Sequence, residues 1–285
     1  MQLQDKFDGR NLPYISVQEH LKKSGIRVPE IYGYYGDKKI LLLEDLGDET
    51  MEKRIASIDR KKKKSFYKKA LDLLIQMQIK ASIPKEPECI AFSLEFDVEK
   101  FMFELEFFRR HYLEGLLGLK IKESDLDKLN NEFFTLSEIL AKEQKLFAHR
   151  DYHSRNLMVV GEELAMVDFQ DARMGLVQYD LASLLRDSYV VLEDSLRDEL
   201  IEYYICRMDE HSRRHIDREE FRRIFDLMCV QRNIKALGTF AFQKVCKGND
   251  RYLKYIPHTL WYVKENLDKY EELNELRKIL YKYIS

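Results

Sequence analysis

A single β-rich island, residues 146–169, interrupts a chain whose pattern is otherwise helical from Ser57 onward. Two short apolar runs at 157–160 and 164–167 predict strands, and residues 161–163 between them predict a three-residue hairpin loop. The island therefore limits the fold to a mainly helical body that carries one embedded antiparallel hairpin.

The expected register of this hairpin brings two oxygen-bearing side chains together. If Val160 pairs with Leu164, then Asn156 stands opposite Asp168. Opposed residues in an antiparallel pair have Cα atoms about 4.5–5.5 Å apart, so the amide oxygen and the carboxylate can share one hard cation. Magnesium prefers oxygen ligands and takes its remaining sites from water and phosphate oxygens. The sequence therefore favours a magnesium site at the open end of the hairpin.

Asp151 lies five residues before Asn156, on the turn that leads into the same hairpin. From there its carboxylate can orient a substrate hydroxyl and accept its proton as a phosphoryl group arrives. His149, two residues earlier, is expected to hold the turn in shape through hydrogen bonds. His153 is interpreted as a polar filler of the loop rather than a substrate contact.

The motif formed by these residues is specific. Residues 149–156 spell H-R-D-x-x-x-x-N and residues 168–170 spell D-F-Q, which is the pattern of a kinase catalytic loop and its metal-binding motif. By average residue usage, H-x-D-x-x-x-x-N alone occurs by chance in roughly one chain in a hundred of this length. A lone Asn or Asp at a strand end is usually a turn cap. The complete set at hairpin spacing favours catalysis.

The first fifty residues predict a small α+β piece. A helical pattern runs over residues 11–24, with Gly25 as its stop. The β-rich runs PEIYGYYG and KKILLLE flank a turn at 36–37 and predict a hairpin. Strong helical periodicity then returns in three segments: 65–81, 98–117 and 124–143. The chain is accordingly divided into a partial N-terminal lobe with its hinge, 1–47, and a helical C-terminal lobe with the catalytic hairpin, 48–285.

Composition excludes several classes of function. The chain has 48 Lys+Arg and 50 Asp+Glu, and this net charge of −2 gives no long-range field for nucleic acid. No apolar run approaches the roughly 18 residues of a membrane span, and the N-terminus lacks the apolar core of a signal peptide. The four cysteines form no C-x-x-C pair, which argues against a zinc site or a disulfide framework. We expect a cytoplasmic protein that acts on a small molecule.

The segments HRDYHSRNLMVV, MVDFQDA and YDLASLLRDSY resemble the aminoglycoside phosphotransferase and choline kinase superfamily. Within it, QRNIKALGTFAFQKVCKGNDRYLKYIPHTLWYV and RVPEIYGYYGDKKILLLEDLGDET resemble the bacterial N-acetylmuramate/N-acetylglucosamine anomeric kinases. This resemblance implies an α+β, protein-kinase-like fold of two lobes, with a truncated N-terminal lobe and a mainly helical C-terminal lobe. It also implies transfer of phosphate from ATP, with Mg²⁺, to the anomeric hydroxyl of the amino sugar in cell-wall recycling.

The resemblance further implies roles for residues of the catalytic hairpin. Asp151 would be the catalytic base, and Asn156 and Asp168 would be the magnesium ligands. Asp180, in the Y-D-L-A motif, would be a structural partner that braces the catalytic loop.

Nucleotide and sugar contacts are also implied. Glu44 and Leu46 would lie on the hinge whose backbone groups meet the adenine ring. Arg155, Gln170 and Asp171 flank the site and are the expected sugar contacts, although ordinary polar surface explains these three equally well.

The beginning of the chain departs from the family pattern. Such kinases open with further strands, a loop over the phosphates and a strand lysine, but no glycine-rich loop lies upstream of residue 36. Lys6 is the only lysine before the first helix, and Glu19 is a weak match to its usual glutamate partner. Without these contacts transfer should slow by orders of magnitude, and the 29–43 hairpin should keep an open edge. Either the true start lies upstream of Met1, which the intact catalytic hairpin favours, or the protein is a reduced form with weak or no activity.

Two other functions stay open. One is a kinase for another small hydroxyl compound, such as an amino alcohol or an aminoglycoside. An aminoglycoside pocket needs clustered carboxylates; Glu162, Glu163 and Asp171 supply some acid near the hairpin, but the sequence has no dense acidic tail, which disfavours an antibiotic kinase. The other is a non-catalytic binding protein on a kinase-like fold, which would not bind nucleotide in a magnesium-dependent manner.

Overall fold

The structure, a computed structural model, describes residues 1–8, 12–212 and 216–284. Within these ranges the α-helices are α1 (Pro13–Lys23), α2 (Met51–Ala56), α3 (Arg60–Lys80), α4 (Val98–Phe108), α5 (Glu123–Ala141), α6 (Gln178–Leu185), α7 (Asp194–Ser212), α8 (Arg218–Lys247), α9 (Ile256–Leu267) and α10 (Asn274–Ile284). The strands are β1 (Ile31–Tyr35), β2 (Ile40–Leu43), β3 (Lys145–Ala148), β4 (Leu157–Val160), β5 (Glu163–Met166) and β6 (Arg173–Leu176). Not one helix of the described ranges combines the length and the apolar character that a bilayer crossing requires.

Two compact units divide the chain. The first comprises residues 1–95, 145–185 and 192–216, and the second comprises 96–144, 186–191 and 217–285. Strands β3, β4, β5 and β6 belong to the first unit, together with α1, α2, α3 and the N-terminal hairpin. The lobe boundary predicted after residue 47 stays a prediction.

The N-terminal helix and hairpin are confirmed. Asn11, where the helical pattern begins, lies outside the described residues, and α1 starts at Pro13, a position that suits proline because its missing N–H needs no partner there. β1 and β2 pair in antiparallel fashion around a 3₁₀ turn at Gly36–Lys38. This is the hairpin that the two β-rich runs predict.

The chain's first residues run along the outer edge of β2. The Leu41 amide donates to the Met1 carbonyl at 3.0 Å, and the Leu3 amide donates to the Lys39 carbonyl at 2.8 Å. The expectation of an open edge is therefore wrong for β2, because residues 1–3 supply backbone partners that the sequence pattern did not suggest.

The helices predicted from periodicity are confirmed as α3, α4 and α5. The basic run at 60–64 forms the start of α3, where the Asp59 side chain caps the helix by accepting from the Lys62 amide at 2.9 Å. Two cations of that run pair with Glu199 of α7. The run is thus part of a helix that packs within the first unit.

The second unit is built around α8, which passes close to α4. A Cβ atom placed on Gly238 of α8 would lie 2.8 Å from the Cα of Phe108. Since real Cβ atoms do not approach a backbone so closely, this crossing requires glycine. A π-helical turn at Arg109–Leu116 continues α4 beyond the contact, so the single helix predicted for 98–117 is present with a change of winding.

Candidate active site

Two antiparallel strand pairs frame the motif residues. β3 pairs with β6, and β4 pairs with β5. Loop 149–156 runs from β3 to β4, and loop 167–172 runs from β5 back to β6. Because both loops connect the same two strand pairs, the topology brings the H-R-D-x-x-x-x-N and D-F-Q motifs together.

The predicted register of the β4–β5 hairpin is wrong by one residue. Val160 pairs with Glu163 rather than with Leu164, so the turn has two central residues instead of three. Gly161, the first of them, has φ of +61° whereas Glu162 has no positive φ, which is the pattern of a type II′ turn with glycine at its first central position. With the tighter turn, β5 begins and ends one residue earlier in the chain than predicted, at 163–166 instead of 164–167.

Asn156 consequently stands opposite Val167 and not opposite Asp168. The Val167 amide donates to the Asn156 carbonyl at 3.0 Å, which extends the β4–β5 ladder by one pair. Asp168 follows with φ of +65°, a left-handed conformation that is uncommon outside glycine but tolerated best by Asp and Asn. The direction of the Asp168 side chain is therefore set by this turn and not by strand alternation.

Asp180, in the first turn of α6, fixes the start of the catalytic loop. One oxygen of its buried carboxylate accepts from the His149 amide at 2.6 Å, and the other accepts from the Arg150 amide at 3.0 Å. Arg150 has φ of +81°, a strained conformation for a residue with a side chain. The two charge-assisted hydrogen bonds offset that strain.

The buried His149 ring links the two motif loops. Its Nδ1 accepts from the Asp151 amide at 3.4 Å, so its Nε2 carries the proton and donates to the Val167 carbonyl at 3.0 Å. Burial lowers the pKa of His149, whereas the nearby charges of Asp151 and Asp168 act in the opposite direction. The ring is thus a neutral spacer with both proposed catalytic carboxylates close to it.

Asn156 and Asp168 offer oxygen atoms to a cation. The Asn156 Nδ2 donates to the Asp151 carbonyl at 2.9 Å, which leaves its Oδ1 as the atom available for a ligand. Asp168 is exposed, and its Oδ1 accepts a hydrogen bond from Nε2 of the Gln170 side chain at 2.8 Å. No cluster of three or more His, Cys, Asp or Glu side chains suited to a metal occurs in the part of the chain that the structure describes. An amide oxygen and a carboxylate are donor types that suit magnesium, which fills its other positions with water and phosphate.

Tyr14 of α1 is a site residue that the sequence motifs did not identify. Its buried ring lies 4.8 Å from the Phe169 ring, between centroids. Burial, and then the charge of Asp168, raise the pKa of Tyr14 to about 12, so the phenol is neutral and close to that carboxylate. Its spacing with Val17 and Leu21 marks the buried face of α1, and this is the signal that identifies it.

The hinge candidate Glu44 uses its side chain within the protein. Its carboxylate accepts from Arg27 Nη1 at 2.7 Å and Nη2 at 2.5 Å, and from the Glu30 amide at 3.1 Å. These hydrogen bonds, that of Arg27 first, lower the pKa of Glu44 to about 2. Among the described residues, neither the Glu44 carbonyl nor the Leu46 amide has a hydrogen-bond partner. These two backbone groups are thus available for a ligand.

The three expected sugar contacts have partners within the chain. The Arg155 guanidinium binds both oxygens of Glu52 in α2, at 2.9 and 3.0 Å. The Gln170 side chain donates to the Asp168 carboxylate at 2.8 Å, and Asp171 forms an ion pair with Arg150 at 3.4 Å. Contact of these residues with sugar stays a prediction.

A family comparison identifies the chemistry that this geometry serves. The sequence model of the phosphotransferase enzyme family (APH) matches residues 8–217, which is most of the chain. The chain belongs to the phosphotransferase enzyme family. It is therefore a phosphotransferase with a hydroxyl group as acceptor.

Known proteins similar to this phosphotransferase support the family and the fold. An N-acetylmuramate/N-acetylglucosamine kinase of Pseudomonas putida is 28% identical over 274 residues, which cover 94% of this chain and 76% of the relative. A choline/ethanolamine kinase family protein from Mesorhizobium loti has a TM-score of 0.62 at 15% identity, covering 96% of this chain and 84% of that one. The ternary complex of APH(2")-IIa with streptomycin and ATP has a TM-score of 0.60 at 16% identity, covering 92% and 81%. The predicted superfamily and its protein-kinase-like fold are confirmed.

Proposed function

We propose that this phosphotransferase moves the γ-phosphate of ATP to the anomeric hydroxyl of N-acetylmuramate or N-acetylglucosamine, a reaction of cell-wall recycling. The single observation that carries the chemistry is the joining of the two motif loops by His149, which has Asp151 and Asp168 near its ring. The choice of acceptor is supported by the kinase of that name in Pseudomonas putida, whose similarity covers 94% of the chain.

Asp151 acts as the base in this proposal. Its backbone carbonyl accepts from the His153 amide at 3.0 Å and from the Asn156 side chain at 2.9 Å, so the turn that carries the carboxylate is held from within. The half-buried carboxylate hydrogen bonds to the sugar hydroxyl, orients its oxygen for attack and takes its proton as the new bond to phosphorus forms.

Asn156, through its Oδ1, and Asp168, through its carboxylate, would hold the magnesium ion. When bound, magnesium would supply positive charge that offsets the charge on the phosphate oxygens and on the departing ADP. Gln170 steadies the Asp168 carboxylate through the hydrogen bond to its Oδ1. Asp180 braces the loop that carries the base through its two backbone hydrogen bonds.

The adenine ring of ATP binds at the hinge in this proposal. A carbonyl acceptor at Glu44 and an amide donor at Leu46 complement an exocyclic amine and an adjacent ring nitrogen, the donor and acceptor that adenine presents along one edge. ATP in the ternary complex of the similarly folded APH(2")-IIa is consistent with this choice of nucleotide.

The acceptor is tested by blocking the anomeric hydroxyl alone. N-acetylglucosamine is compared with its 1-O-methyl glycoside, which keeps every other hydroxyl, and N-acetylmuramate, choline and an aminoglycoside are assayed in parallel for ADP release with magnesium-ATP. We expect turnover with both free amino sugars, none with the methyl glycoside, and an acid-labile glycosyl phosphate as product. Turnover of the methyl glycoside at an equal rate, or of choline in preference to the sugars, would overturn the proposed acceptor.

A further inference from the structure

Arg27 connects the hinge with the strand that leads to the D-F-Q motif. Its backbone carbonyl accepts from the amide of Met166, the last residue of β5, at 3.0 Å. Its guanidinium binds both carboxylate oxygens of Glu44, at 2.7 and 2.5 Å. One residue thus contacts the hinge by its side chain and the catalytic hairpin by its main chain, two positions before Asp168.

The Arg27–Glu44 pair is fixed at both ends. Arg27 Nη1 also donates to the Val28 carbonyl at 2.9 Å, which holds the guanidinium against its own loop. Glu44 accepts a third hydrogen bond from the Glu30 amide, while its own amide donates to the Glu30 carbonyl at 2.8 Å. The two side chains are 30% and 21% exposed, so water competes with them only in part. A planar guanidinium that makes two parallel bonds fixes direction as well as distance.

We propose that Arg27 is a positioning residue that sets the hinge at Glu44 and Leu46 in register with Asp168. The inference rests on the proposed function, in which the hinge receives the adenine ring and Asp168 the metal that accompanies the phosphates. A nucleotide spans these two points, so it binds tightly only when their separation is already correct. Loss of the Arg27–Glu44 pair leaves the hinge and Asp168 themselves unchanged, but the distance between them is no longer fixed.

Three variants separate charge, geometry and folding. Arg27→Gln removes both the positive charge and the planar guanidinium. Arg27→Lys keeps the charge, but an ammonium group cannot bind both Glu44 oxygens and the Val28 carbonyl in the same planar arrangement. Glu44→Gln removes the negative charge and one of the two acceptor oxygens of the partner. The control is Lys22→Gln, which breaks the ion pair of Lys22 with the Glu30 side chain, an exposed pair of the same segment.

Nucleotide binding is measured first, by calorimetry with magnesium-ATP and no acceptor. We expect Arg27→Gln and Glu44→Gln each to weaken ATP binding about tenfold, which is 1.4 kcal/mol, and the double variant to be no weaker than either. The ATP affinity of Arg27→Lys should lie between that of these variants and that of the unaltered protein. The ATP affinity of Lys22→Gln should equal that of the unaltered protein. In steady state, the KM for ATP should rise by a larger factor than kcat falls, and the KM for the sugar should stay constant. Variants that bind ATP within twofold of the unaltered protein, or effects that add in the double variant, would overturn the inference.

Hydrogen exchange without nucleotide keeps this test independent of the proposed function. Arg27→Gln should speed amide exchange both at residues 41–46 and at residues 164–168, and Lys22→Gln should change neither. If the unaltered protein binds no ATP but Arg27→Gln still speeds exchange in both segments, Arg27 couples the hinge to the catalytic hairpin and the proposed function fails. If ATP binds but Arg27→Gln changes exchange in only one of the two segments, the coupling is refuted and the proposed function is untouched.

Discussion

The side-chain amide of Asn156 donates a hydrogen bond to the backbone carbonyl of Asp151, with a nitrogen–oxygen distance of 2.9 Å. The bond closes the six-residue segment 151–156, which carries the proposed base at one end and the proposed metal ligand at the other. It also orients the Asn156 amide, because the nitrogen is used internally and the oxygen is left for a cation. The position of the base and the position of the metal are therefore coupled through one side chain.

Replacing Asn156 should change the requirement for metal more than the binding of sugar. We expect Asn156→Ala to raise the magnesium concentration for half-maximal rate by about 10–100-fold, the range observed when groups that support a metal site are removed. Initial rates across a series of free magnesium concentrations measure this. His153→Ala, in the same loop, serves as the control and should keep the magnesium dependence of the unaltered protein. An Asn156→Ala variant with unaltered magnesium dependence would contradict the assignment of this ligand.

Removing the Asp180 carboxylate should lower the stability of the protein as well as its rate of phosphoryl transfer. Asp180→Ala removes the acceptor of the buried His149 amide and of the part-buried Arg150 amide, and we expect a loss of about 2–4 kcal/mol in the free energy of unfolding. Denaturant titration measures the loss. Asp127→Ala, at an exposed position of α5, should stay within about 0.5 kcal/mol of the unaltered protein. Equal stabilities for the two variants would remove Asp180 from its bracing role.

Glu44 should make stability depend on pH in a defined window. Arg27 and the Glu30 amide lower its pKa in the folded protein to about 2 from an ordinary value of 4.5. The folded state therefore binds a proton at Glu44 less readily than the unfolded state, so this carboxylate stabilises the fold fully above pH 4.5. That contribution is lost as the pH falls from about 4.5 toward 2.

Glu44→Gln isolates this contribution. The difference in unfolding free energy between the unaltered protein and the variant should be largest near pH 7 and should shrink below pH 4.5. Denaturant titrations of both proteins between pH 7 and the lowest pH at which both fold give the difference directly. A difference that stays constant over this range would show that the carboxylate charge is not what Arg27 stabilises.

Tyr14 should contribute mainly through its ring. Tyr14→Ala empties the space beside Phe169 and should reduce the unfolding free energy by about 3–5 kcal/mol, as for other large aromatic truncations. Tyr14→Phe keeps the ring and removes the hydroxyl near Asp168, so we expect stability within about 1 kcal/mol of the unaltered protein. Tyr112→Phe, at a buried tyrosine of the second unit, is the matched control. A Tyr14→Phe variant as unstable as Tyr14→Ala would contradict this division.

The sequence predicted the hairpin and its motifs but not the register. The run 164–167 is apolar and Glu163 is charged, so polarity suggested that Glu163 belongs to the turn. In the structure Glu163 is the first residue of β5 and is exposed to solvent, where a charged side chain carries no desolvation cost. Gly161 allows a two-residue turn, and one turn residue fewer shifts every pair of the hairpin.

Long-range side-chain contacts were also beyond the sequence pattern. Arg27 and Glu44 are 17 residues apart, and their pairing depends on how the loop after α1 returns beside the hinge. Local spacing rules describe neighbours on one helix or one strand pair and give no information on such a contact. Asp180 differs because its motif implied a brace, although the two amides that it binds were not predictable.

Transfer by the unaltered protein and by Asp151→Asn tests the central claim most directly. With magnesium-ATP and N-acetylmuramate at saturation, the unaltered protein should form sugar phosphate, and Asp151→Asn should lower kcat by about 10²–10⁴-fold because the proton acceptor is gone. ATP affinity should be the same in both, since Asp151 does not hold the nucleotide in this account. Equal kcat values for the two proteins would contradict the assignment of Asp151 as the base.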